Sequence, residues 1–168
     1  MIPDIIFRRL PPKLVEIFRP RVDGYRLGTA EGLLLSAHEA RRRQYRAEIV
    51  LHHLLAEAND ETVVLGIVDV DLYVPDLNFV FGLSQRYGRA ALVSIRRLDP
   101  VFYGQPPNQE ILWNRALKEA VHELGHTFGL NHCWNSKCVM SFSNSIMEVD
   151  GKSPNFCRRC RSSLFGSF

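Results

Sequence analysis

The spacing of apolar positions along the chain changes several times, and each change marks an expected element. Residues 1–10 alternate between apolar and polar, which predicts a first strand ended by Pro11-Pro12; Lys13 to Phe18 reads as a short turn or strand. Pro20 to Gly28 is expected to be loop. From Ala37 to Ala58 the chain is rich in Ala, Glu, Arg and Leu, and Ile49, Leu51, Leu54 and Leu55 fall near one helical face, so a helix is predicted there. Asn59-Asp60 closes it. Thr62 to Val74 reads as one buried strand followed by the turn residues Pro75-Asp76. Phe79–Leu83 and Ala90–Ile95 are two more short strands about the polar turn Gln85–Gly88. After a loop over Pro100–Asn108, a second long helix is expected from Gln109 to Gly129. Leu130 to Phe168 shows no clear period and reads as a loop-rich region held by something other than a core.

Composition narrows the class only modestly. A chain of 168 residues with 46% hydrophobic and 23% charged content can bury a core, which excludes a disordered protein. Its net charge of +3 is too small to argue for nucleic acid. No apolar run approaches the ~18 residues of a membrane span. The arginines near the N-terminus follow the short apolar stretch and prolines interrupt it, so it does not read as a signal peptide. A cytoplasmic location with reduced thiols is therefore expected.

The chemistry is concentrated after residue 120. Residues 122–132 read His-Glu-Leu-Gly-His-Thr-Phe-Gly-Leu-Asn-His. A spacing of four on a helix puts His122 and His126 on one face, one turn apart, within reach of one metal ion. Gly129 can take positive φ and end the helix, letting the chain turn back so that His132 becomes a third ligand. Three neutral nitrogens leave a tetrahedral zinc one open position, the arrangement of catalytic sites. Glu123 can reach a water at that position and act as general base. The bland alternative is a buried amphipathic helix that happens to carry histidines, but five fixed positions rarely coincide by chance. His38, His52 and His53 have no ligand spacing and are expected to be surface or satisfied structural residues.

The four cysteines form two close pairs, Cys133-x4-Cys138 and Cys157-x2-Cys160. Such pairs suit a structural zinc held by four thiolates; two disulfides or unlinked thiols are the less favoured readings in a reducing compartment. Metal binding there would supply folding free energy to a tail with few apolar residues, and would brace His132 through its neighbour Cys133.

The histidine motif followed at once by Cys133, then Cys138-Val139-Met140 and, after residues 141–156, Cys157-Arg-Arg-Cys160, resembles the archaemetzincins, a family of metzincin-type zinc metallopeptidases. Gln44-Tyr45 and Asp71-Leu72-Tyr73 extend the likeness more weakly. The resemblance implies an α+β, metzincin-like compact domain: a mixed twisted sheet, two main helices, and a small zinc-stapled C-terminal subdomain. It divides the chain into 1–129, ending with the active-site helix, and 130–168, with the methionine turn and the cysteine site. It implies two zinc ions, one catalytic and one structural, and assigns Met140 to the methionine turn beneath the catalytic metal, with Met147 as a weak competitor. Some metzincins carry a tyrosine two residues after that methionine; here Phe142 stands there and cannot ligate or donate.

The expected function is thus zinc-dependent hydrolysis of peptide or protein substrates by a monomer, with Phe79–Leu83 as the edge strand along which a peptide aligns. A zinc-binding regulatory or adaptor role is the alternative. Nucleic-acid binding through Arg41-Arg42-Arg43 and Arg158, Arg159 and Arg161 is disfavoured, because charge runs are usually solvated faces.

Overall fold

The computed structural model describes residues 1–29 and 32–166. Its first element is a helix rather than the expected strand, α1 over Asp4–Phe18. Ile6, Leu10, Leu14 and Phe18 are all buried and recur every fourth position, so a helical stripe carries the apolar surface of this segment. Pro11 and Pro12 lie inside α1 and remove the amide hydrogens that would bond the carbonyls of Phe7 and Arg8. Both of those residues are exposed, where water can serve the freed carbonyls. Prolines that looked like a terminator are tolerated because they fall on the wet side.

The next helix is shorter than its composition suggests. Strands β1 (His38–Glu39) and β2 (Gln44–Arg46) pair antiparallel, and α2 covers only Ala47–Ala56. Arg43 takes a φ of +53°, which a helix cannot hold. Gln44 donates its buried amide to the Asn78 carbonyl at 2.8 Å, and Arg42 reaches the carbonyls of Leu77 and Asn78. Distant partners thus override local helix propensity.

The single strand expected over Thr62–Val74 is two. β3 (Val64–Val68) and β4 (Leu72–Tyr73) belong to different sheets, and between them Asp71 forms a bidentate pair with Arg97 at 2.6 and 2.7 Å. β4 runs parallel to β2. The second sheet has the order β3-β6-β5, with β5 over Gly82–Ser84 and β6 over Ala90–Ser94; β6 is parallel to β3 and antiparallel to β5. The mixed sheet and α+β class expected from the family resemblance are present.

β6 is buried along its whole length. Ala90 and Leu92 face a core beneath α2, whereas Ala91 and Val93 face a larger core shared with α1 and α3, the Gln109–Thr127 helix. Pro100–Tyr103, expected as loop, forms a 3-10 turn capped by Asp99. The last third is more ordered than its pattern suggested: α4 (Ile146–Gly151) opens with a Ser145/Glu148 capping box, and α5 (Arg158–Phe165) follows Cys157. These helices are too short to show a period. Val139, Met140, Val149 and Leu164 join the core of α1 and α3, so apolar packing holds this region as well.

Phe18 links three segments, its ring lying 5.2 Å from Phe128 and 5.7 Å from Phe156. Phe18→Ala is expected to cost about 3–5 kcal/mol in chemical denaturation, the range for an emptied aromatic site.

Candidate metal centre

α3 begins where Asn108 accepts hydrogen bonds from the amides of Glu110 and Ile111. It ends where Gly129, at φ +100°, lets its own amide bond the His126 carbonyl and the Leu130 amide bond the Gly125 carbonyl. A side chain at Gly129 would also overlap the ring of Tyr87. The chain reverses here and returns His132 towards the helix.

The structure brings His122, His126 and His132 together, with their candidate ligand nitrogens all within 4.8 Å of one another. Two of the rings are aimed by backbone carbonyls. His122 Nδ1 lies 2.8 Å from the Val139 oxygen, and His126 Nδ1 lies 2.7 Å from that of Leu130. A carbonyl cannot donate, so both Nδ1 atoms carry the hydrogen and both Nε2 atoms present bare lone pairs. Those Nε2 atoms stand 3.1 Å apart. Two lone pairs at that distance repel unless a cation lies between them, and tetrahedral zinc would set its nitrogens ~3.3 Å apart. Burial pushes the pKa of His122 well below the ordinary value and lowers those of His126 and His132, which favours the neutral, ligating form. This donor set fits a zinc ion.

Glu123 is buried beside them. Ser84 donates its hydroxyl to Glu123 Oε2 at 2.6 Å. Opposite, a Cβ on Gly82 would sit 2.8 Å from Oε1 and 2.6 Å from the Leu92 carbonyl, so glycine makes the room. Burial raises the carboxyl to about 8, against the lowering effect of the Ser84 hydrogen bond. Glu123 and the three histidines line a cleft of about 320 Å³ whose apolar wall includes Leu77, Phe79, Leu83 and Phe142. A larger, more open hollow of about 600 Å³ between α1 and residues 23–25 holds none of these groups.

The cysteines also converge. Cys133, Cys138, Cys157 and Cys160 place their sulfurs within 4.8 Å of one another, and Cys133 and Cys157 are 3.7 Å apart. Tetrahedral zinc–thiolate bonds of about 2.3 Å imply sulfur edges of ~3.8 Å. The Cys160 amide, at the first turn of α5, holds the Cys157 thiol down to about 7, whereas burial raises Cys138. Arg159 donates to Cys133 Sγ at 3.4 Å, placing a positive charge against the cluster. Four thiolates on one divalent ion leave net negative charge for it to balance.

Met140 is fully buried under Gly125, where any Cβ would overlap its sulfur. Its carbonyl accepts from the Cys133 amide at 2.8 Å, and the Phe142 ring lies 5.1 Å from that of His132. Met147 is exposed. His38, His52 and His53 lie outside both clusters; His38 and His52 are exposed, whereas His53 Nδ1 is buried with no hydrogen-bond partner among the described residues, not satisfied as expected. Sequence reasoning missed Gly82, Ser84, Glu119, Lys152 and Arg159. Helical spacing before His122 and Glu123 could have raised Glu119; the others have no local signal.

An α+β fold carrying three convergent histidines and a buried glutamate on one helix and its return loop is the architecture of a zinc metallopeptidase. The pattern that describes Peptidase family M54 matches residues 26–165. The chain is 42% identical to the archaemetzincin of Methanocaldococcus jannaschii over 166 residues, covering 96% of this chain and 86% of that one. It superposes on the crystal structure of the Archaeoglobus fulgidus archaemetzincin with a TM-score of 0.81 at 35% identity, covering 97% and 94% of the two chains. A zinc-dependent peptidase from Methanocorpusculum labreanum gives a TM-score of 0.82 at 30% identity, covering 97% and 95%. The chain belongs to peptidase family M54, the archaemetzincins.

Gly125→Ala forces a methyl group against Met140 in a packed interior. It is expected to lower stability by about 1–3 kcal/mol, read by denaturant titration, and to weaken metal retention in the same samples.

Proposed function

We propose that the protein hydrolyses peptide bonds with a zinc ion held by His122, His126 and His132, Glu123 being the general base. The convergence of three Nε2 donors beside one buried carboxylate carries this reading. A zinc ion at that position would supply a Lewis acid, would lower the pKa of water from ~15.7 to about 7, and by its charge would favour the ionised form of the neighbouring Glu123. Glu123 Oε1, the oxygen not engaged by Ser84, accepts the proton of the attacking water and returns it to the departing amine. Phe142 supplies no hydroxyl to the cleft, so stabilisation of the developing oxyanion falls to the metal and to N–H groups. That absence is also what favours the second reading, a zinc-binding regulatory or adaptor protein with little turnover.

β5 is the edge of its sheet, and it begins later than the Phe79–Leu83 segment expected from the pattern. Ser94 bonds the Phe81 carbonyl and Gln85 bonds the Ala90 carbonyl, so by alternation the amides and carbonyls of Gly82 and Ser84 point away from β6. They offer an extended peptide one strand's worth of main-chain partners along the cleft. Cys133, Cys138, Cys157 and Cys160 would hold a second, structural zinc, and residues 130–168 would form the C-terminal subdomain that it braces against 1–129.

The same reading takes the protein as a cytoplasmic monomer acting on peptides rather than nucleic acid. Among the described residues, no helix is long and apolar enough to cross a membrane. Arg42 stacks over Tyr73 and Arg159 serves the thiol cluster, so two arginines of the basic runs have structural work.

A mass-spectrometric screen of a mixed peptide library tests the activity. Glu123→Gln should keep its zinc and lose about 10²–10⁴-fold in cleavage; products unchanged from those of the wild type would refute the base assignment. His126→Ala should lose one zinc per chain and keep the fold, whereas Cys157→Ser should destabilise the C-terminal region. Metal counts that fall together in both variants would contradict the division into two sites.

A further inference from the structure

The most deeply buried ion pair among the described residues joins Glu119 of α3 to Lys152, just past α4. Their side chains are 4% and 1% exposed and the charged atoms are 2.8 Å apart. Lys152 Nζ also lies 3.4 Å from the Ser141 carbonyl, and no well-aligned hydrogen bond reaches Glu119 Oε1. Such a pair is a poor way to gain stability. Removing two charges from water can cost more than their attraction returns, and an apolar pair of similar volume is often neutral or stabilising for the fold, although it could not reproduce the directed contact to the Ser141 carbonyl.

What distinguishes the pair is its place. Glu119 precedes His122 by three residues and Glu123 by four, so it stands one turn away on the same side of α3 and lines the same cleft. The other contact of Lys152 is to Ser141, adjacent to Met140, which packs on Gly125. Two residues before Ser141, the Val139 carbonyl takes the His122 Nδ1 hydrogen. Lys152 therefore grips from one end the turn that His122 grips from the other. It also neutralises a carboxylate that would otherwise face Glu123 across one helical turn.

We propose that Glu119 and Lys152 are a positioning pair for the metal centre. They fix the Val139–Ser141 turn against α3 and through it the His122 ring, and they leave Glu123 the one uncompensated carboxylate in the cleft. Neither residue touches the reacting atoms. The inference rests on the metallopeptidase reading of the histidine cluster.

Cobalt(II) titration of the metal-free protein tests it without needing a substrate. Cobalt bound by thiolates shows a charge-transfer band, and cobalt bound by histidines contributes weaker d–d bands. Three forms are compared: wild type, Glu119→Gln, and the double variant Glu119→Leu with Lys152→Met, which removes both charges. Both variants should keep the thiolate band, bind cobalt at the histidines at least ~10-fold more weakly, and show an altered d–d spectrum. Glu119→Gln preserves the shape of the side chain, so it remains informative should the double variant not fold. Histidine-site affinity and spectrum equal to wild type in the variants would overturn the proposal. So would joint loss of both signals in Glu119→Gln, which would make the pair a general structural requirement. Wild-type protein that takes cobalt only at its thiols would instead overturn the reading of the histidine cluster, and the pair's role with it.

Discussion

Most buried polar groups along one face of α3 find partners in the chain that follows the helix. Arg115 forms a bidentate pair with Asp150 and reaches the Leu98 carbonyl; Glu119 meets Lys152; His122 bonds Val139; His126 bonds Leu130. Lys118, beside this row, binds the carbonyls of Val149 and Asp150 and so serves the C-terminal end of α4. Each of these groups would be costly to bury alone, and their shared requirement for partners sets the path of residues 130–152. The His122 and His126 rings are aimed at one point by the carbonyls that take their Nδ1 hydrogens.

Apolar packing makes this row possible. β6 fills the middle of its sheet with side chains buried on both faces, and the larger core behind it closes under α1, α3 and the C-terminal segment. Met140 occupies the space left by Gly125, and Glu123 the space left by Gly82. At both positions a missing Cβ lets a functional element approach the helix closely. The candidate metal centre is thus a set of polar groups clamped between a sheet and a return loop, which is how a site keeps its geometry.

Elements near the centre were legible in the chain because their signals are local. α3 starts at its expected residue, and the histidine and cysteine spacings already named the clusters that meet in space. Errors fell where a distant partner decides. The first segment became a helix because α3 and β6 offered a core for the stripe Ile6, Leu10, Leu14 and Phe18. Residues 37–46 lost their expected helix to contacts with Asn78 and Leu77. The strand after Thr62 broke where Asp71 met Arg97.

Ligand chemistry belongs to the first group: residue type and interval along one helix determine which nitrogens can share a metal, since a helix has a fixed rise and turn. The support around those candidate ligands belongs to the second. Ser84 beside Glu123, Lys152 beside Glu119, and the carbonyls of Val139 and Leu130 that aim the rings are contacts made across a reversal of the chain. Some of them are separated by more than thirty residues along it, as Ser84 and Glu123 are. Short-range periodicity carries no information about such pairs, because their proximity is the outcome of packing two sheets, a helix and a return loop into one core.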